Sequence, residues 1–97
     1  MPRQLLPVPA PVDPRLTTLA ELGALVRRRR LEQQLRIDDA AGFCGVSANL
    51  LSRLENGRPV QTDKLLLVLA GLGLGLVAGP KAMVAGLSLP AAAEADA

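Results

Sequence analysis

The stretch Gly45–Pro59, GVSANLLSRLENGRP, decides the fold. A tight Gly-Val-Ser leads into a short helical pattern that stops at Asn56-Gly57, with Pro59 beyond. Ser47 is a good N-cap because its hydroxyl can accept an orphan backbone N–H, and Val46 and Leu51 occupy the two positions of a hydrophobic staple. Gly57 suits the left-handed residue that closes a helix, and Pro59 cannot continue one. On this helix Leu51 and Leu54 point one way, with Val46 before them. Ala48, Asn49, Ser52, Arg53 and Asn56 point the other way. That outward set offers amide, hydroxyl and guanidinium groups and no acid. Asn can read an adenine edge and Arg can fork onto guanine. The face is either an ordinary solvated one or one built to enter a major groove.

Working outward, the residues before it carry a second short helix over about Ile37–Cys44. Arg36 stands where a capping side chain would be, but Asp38 and Asp39 complement the dipole of its first turn. A helix, a turn of three to four residues containing Gly45, then a second helix is helix-turn-helix spacing. Further upstream, Thr18 and Glu21 form a capping box, and Leu19, Leu22, Leu25 and Val26 recur at helical spacing to about Gln34. Downstream, a fourth helix begins near Thr62 with Leu65, Leu66, Leu69 and Leu72 on one face, frayed by Gly71 and Gly73. Leu67 and Val68 widen that stripe beyond what one small core needs, as frayed surface or, the reading preferred here, as cover for a partner. Leu74–Ala78 alternates large with small, which suits a short strand.

ELGALVRRRR, the GVS turn, LLSRLENGRP and DKLLLVLAGLGL together resemble the helix-turn-helix domains of Cro/CI-type (XRE) regulators, over about Leu19–Ala78. Within these the chain is most similar to HipB-like antitoxins, the partners of HipA-like kinases. The resemblance implies an all-α, lambda-repressor-like domain of four to five helices, a transcriptional repressor that binds its operator as a homodimer. In the HipB branch it also implies autoregulation, neutralisation of a HipA-like kinase toxin, and a C-terminal strand that pairs across the dimer. Leu72, Leu74, Leu76 and Val77 would then serve dimerisation. Position by position, Ala48, Asn49, Ser52 and Arg53 match base-reading positions, and Ser47 and Arg58 match phosphate contacts. Arg30 and Glu55 match an ion pair tying the first helix to the third. Two departures bear on DNA binding. Family members usually start the second helix with Thr or Ser and then Gln, where this chain has Arg36 and Ile37. Ile37 cannot donate to a phosphate, so Arg36 takes that role. Gly42 weakens the same helix, and Ala40 replaces a larger core residue. The alternatives are a toxin-neutralising module with weak or no operator binding, or a plain repressor without a toxin.

The totals agree with such a protein. Ninety-seven residues make one small domain with tails. Residues 1–16 hold five prolines and read as an extended, flexible arm; residues 17–78 are the DNA-binding and dimerisation unit; residues 79–97 are an Ala-rich tail, largely disordered. Net charge is +2, but between Arg15 and Lys64 nine Lys/Arg face six Asp/Glu, four of the arginines being consecutive. That run is read as solvated Arg27 and Arg28 with Arg30 meeting Glu55; a nucleic-acid patch or a polybasic signal is the alternative. There is no His and one Cys, which excludes His-based catalysis, an intrachain disulfide and a multi-Cys zinc site. No enzyme, metal or cofactor is expected, and Cys44 reads as a small core residue. Leu65–Gly79 has no charge over fifteen residues, but it is too short and too rich in glycine to span a bilayer. MPRQLLPVPAP lacks an apolar signal core, so a cytoplasmic, nucleoid-associated protein is expected.

Overall fold

The computed structural model describes residues 6–88. Among these residues five helices follow one another: α1 (Leu19–Glu32), α2 (Ile37–Cys44), α3 (Ala48–Glu55), α4 (Thr62–Gly71) and α5 (Lys81–Ala85). Thr18 caps α1, its hydroxyl accepting from the Glu21 N–H at 3.1 Å, while the Glu21 carboxylate accepts from the Thr18 N–H at 3.0 Å. Ser47 caps α3 by accepting from the Leu50 N–H at 3.1 Å. Arg36 makes no side-chain cap at α2, where Asp38 and Asp39 supply the first-turn charge instead.

The first four helices end alike. A left-handed residue follows each, and the next N–H closes on the carbonyl five positions back: Leu35 to Arg30, Val46 to Ala41, Arg58 to Arg53 and Leu74 to Leu69. This wrap satisfies terminal carbonyls that would otherwise lack donors. Gly45, Gly57 and Gly73 supply three of the left-handed positions, and Gln34, at φ 56°, supplies the fourth. Gly73 therefore does not fray α4 as expected; it terminates it.

α1 packs on α3, and α2 packs on both α3 and α4. Val26, Ala40, Ala41, Cys44, Leu51, Leu54, Val68, Leu69 and Leu72 make one buried core. Two glycines set how closely the helices approach. A Cβ on Gly23 would lie 2.4 Å from the Leu54 carbonyl oxygen, and one on Gly71 would lie 2.6 Å from Cys44 Sγ. The second approach turns α4 so that Val68 is fully buried and Leu66 is half exposed. The expected stripe is corrected accordingly: Val68 belongs to the core and Leu66 does not, while Leu67 stays on the surface.

The expected strand over Leu74–Ala78 is absent among the described residues; the chain runs from Leu74 to Pro80 without regular structure. Leu74 turns its N–H back onto α4, and among the described residues no segment pairs as a ladder with the residues after it. Leu72 is fully buried and Leu74 half-buried against the same core, so Leu72 cannot reach a second copy; Leu76 and Val77 are exposed. Together with Leu16, Leu22, Leu25 and Leu69 they line an apolar cleft of about 340 Å³.

Residues 6–17 form no helix or strand but lie against α1. The Gln34 side-chain amide takes both backbone groups of Leu6, accepting its N–H and donating to its carbonyl, each at 2.8 Å. Arg28 donates to the Pro9 carbonyl at 3.1 Å and pairs with Glu32. Arg28 is thus half-buried and engaged, a correction to the solvated residue expected. Of the expected arm and tail, residues 1–5 and 89–97 lie outside the described residues. Among the described residues no helix is long and apolar enough to cross a membrane.

Candidate nucleic-acid interface

The third helix owes its position to one ion pair. Arg30 Nε and Nη2 donate to the two carboxylate oxygens of Glu55 at 2.6 and 2.9 Å, and Nη1 donates to the Leu35 carbonyl at 2.8 Å. Both side chains are over nine-tenths buried. A parallel fork of this kind fixes orientation as well as distance. The end of α1 is thereby bolted to the last turn of α3, beside the close approach at Gly23. The rest of the arginine run is spent differently. Arg29 donates to the Leu72 carbonyl at 2.8 Å, next to Gln33 at 3.1 Å, so positive charge sits on the C-terminus of α4. Arg27 alone is exposed without a partner among the described residues.

With Leu51 and Leu54 fully buried, the opposite side of α3 is left to solvent. Ser47, Asn49, Arg53, Asn56 and Arg58 are exposed, and Ala48 and Ser52 are half-buried. The only acid on this helix, Glu55, is turned inward to Arg30. Arg53 donates one Nη2 N–H to the Pro59 carbonyl at 2.8 Å, which holds the guanidinium over the turn between α3 and α4 and leaves its other donors open. Asn56 donates to the Ser52 carbonyl at 2.7 Å, closing the helix end, so its amide is partly committed to structure. Asn49 makes no hydrogen bond within the described chain and projects from the first turn of the helix. Arg36 is exposed at the start of α2, with no hydrogen bond or ion pair to the others.

The structure therefore brings Arg30 and Glu55 together, and it leaves Asn49, Arg53 and Arg58 exposed on and just after α3, whose one acid is turned inward. It also adds residues that sequence reasoning passed over. Leu50, Val60 and Gln61 join Arg53 and Pro59 in lining an open hollow at the end of α3. The spacing of Leu50 and Arg53, three apart on a helix, was the available signal. The contribution of the following turn had none.

Residues 21–78 match the family described as a helix-turn-helix domain. The uncharacterized HTH-type transcriptional regulator y4mF of Sinorhizobium fredii is 46% identical over 63 residues, which cover 64% of this chain and 83% of that protein. Crystal structures of two point mutants of the restriction-modification controller protein C.Esp1396I share the fold. Each aligns with a TM-score of 0.53 at 24% identity over 59% of this chain, covering 73% of one and 77% of the other.

Proposed function

We propose, from the premise that this chain belongs to the helix-turn-helix domain family, that α3 enters the major groove and reads an operator sequence. The chain is an XRE-type transcriptional regulator and not an enzyme. The observation that carries the groove assignment is the surface around α3. Asn49 and Arg53 present amide and guanidinium donors, Arg58 adds charge, and the one acid on the helix is buried against Arg30. Asn49, Ser52 and Arg53 take base edges, with Ala48 small enough to let the backbone approach. Ser47, Arg36 and Arg58 take phosphates, and Asn56 supports the helix end while facing the same side. Repression follows from occupying a promoter. Binding to the chain's own promoter, measured by fluorescence anisotropy against a scrambled duplex across a salt series, tests this; equal affinity for both duplexes would leave only charge-driven binding.

A homodimer would present two α3 helices to an inverted repeat, with half-sites about one helical turn apart or a multiple of it. The exposed Leu66, Leu67, Leu76 and Val77 support such an assembly, since a domain of this size gains from covering them. The narrower reading, an antitoxin to a HipA-like kinase, is supported by the motif resemblance to HipB-like antitoxins. Co-expression with the adjacent gene product tests it. A neighbour that neither co-purifies nor loses toxicity would leave a plain repressor.

A further inference from the structure

We infer that the hollow between α3 and α4 reads the C5-methyl group of a thymine adjoining the guanine taken by Arg53. This rests on the groove assignment above and adds to it a residue pair, Leu50 and Val60, and the chemical group they would take. Leu50 lies three residues before Arg53 and shares its hollow, whose far wall is Pro59, Val60 and Gln61. Leu50 and Val60 are both half-buried, packed below against the core and open above. Leu50 and Val60 therefore give the hollow an apolar patch, bordered by the exposed Arg53 and Gln61.

The fork of Arg53 is held at a fixed height over that patch. Its Nη2 donates to the Pro59 carbonyl at 2.8 Å, so the side chain bridges the reading helix and the turn that carries Val60. An arginine forking onto guanine O6 and N7 places the neighbouring base about 3.4 Å along the duplex axis. The patch next to the fork then faces the major-groove edge of that neighbour. The four bases present donors and acceptors on this edge, and the thymine methyl is the one apolar group among them. A polar edge laid on Leu50 and Val60 would lose water without gaining a partner from these two side chains, whereas a methyl covers apolar surface with apolar surface. The surrounding charge suits the duplex as well, since Arg53 and Arg58 flank the turn.

The test begins with an operator selected by this protein from a random duplex pool. Each thymine is then replaced in turn by deoxyuridine, which removes the methyl and nothing else, and affinity is measured by anisotropy. One thymine in each half-site should lose about three- to fivefold on replacement, the value of burying one methyl group. In Leu50→Ala and in Val60→Thr that loss should shrink toward unity, and circular dichroism melts confirm that each variant is folded. Val60→Thr keeps the side-chain shape, so it reports on the hollow even where Leu50→Ala weakens the domain. A flat uracil scan with a good operator in hand overturns the inference while leaving the groove assignment standing. So does a uracil penalty that persists undiminished in the folded variants. Failure of any sequence to enrich sinks the groove assignment, and this inference with it.

Discussion

Arg53 and Arg58 are five residues apart and both exposed, and the proposed groove reading gives them different roles. Arg53 is held by Pro59 with donors left over, the arrangement of a side chain that reads a base. Arg58 follows the left-handed Gly57 with no such anchor, as a phosphate contact needs only charge within reach. Arg53→Ala should therefore cost about 1–3 kcal/mol of specific binding and relax preference at one base pair. Arg58→Ala should weaken all duplexes alike and lower the salt slope by about one unit. Titrating both variants against operator and scrambled duplex at several salt concentrations checks this; the assignment fails if Arg53→Ala stays folded and keeps full operator affinity. Glu21 makes a second prediction at this scale. Hydrogen bonds from the Thr17 backbone and hydroxyl, with further ones from Thr18, hold its carboxyl below the ordinary value of 4.5. A depressed folded value means that the stabilisation is present above the unfolded value and is lost as pH falls through the folded one. Melting temperatures of the wild type and Glu21→Gln should differ at pH 6 and converge only as the pH falls below the ordinary carboxylate range. Curves that run parallel down to pH 3 would show that the carboxylate contributes nothing as an anion.

The helices were legible where the sequence punctuates them and obscure where it does not. Thr18 with Glu21 and Ser47 mark helix starts by side-chain hydrogen bonds that only a few residue types can make, and Gly45 and Gly57 mark helix ends by a left-handed backbone that favours glycine. Leu65–Ala70 carries no polar residue, so its periodicity cannot choose a face. The choice falls to Gly71 meeting Cys44, a contact made across α2 and α4. The alternation at Leu74–Ala78 is one of size with no polar residue and breaks at Val77, and a strand also needs a neighbour that no local pattern supplies. The engagement of Arg28 was illegible for a similar reason, since one of its acceptors, the Pro9 carbonyl, is remote in sequence. The Arg30–Glu55 pair is the element-scale joint that sets α3 against α1. Removing one member of a buried pair leaves the other uncompensated, at a cost of about 3–5 kcal/mol, whereas an exposed pair is worth under about 1 kcal/mol. Glu55→Ala should therefore lower thermal stability severely. Replacing both by apolar residues, Arg30→Met with Glu55→Leu, should recover much of the loss. If Glu55→Ala melts with the wild type, the pair does not hold the helix.

At the scale of the whole molecule, the chain buries one small core and leaves large apolar side chains outside it. Leu66, Leu67, Leu76 and Val77 are about half exposed or more, on α4 and in the segment that follows it. Nothing in the core needs Leu76 or Val77: they line one side of the apolar cleft and otherwise face water. A twofold assembly through these residues would cover them and present two α3 helices together, which a single domain cannot do. Affinity for an inverted repeat would then depend on assembly, because the second helix binds at the high effective concentration set by the first. The double variant Leu76→Glu, Val77→Glu places two like charges on the proposed interface while leaving Val68, Leu69 and Leu72 in place. It should sediment as a monomer and melt close to the monomeric domain's own temperature. It should also bind a single half-site about as well as the wild type does, while losing most of the wild type's advantage on the full repeat. A variant that stays dimeric with that advantage intact would move the interface to another surface, with the exposed Leu66 and Leu67 on α4 the next to substitute.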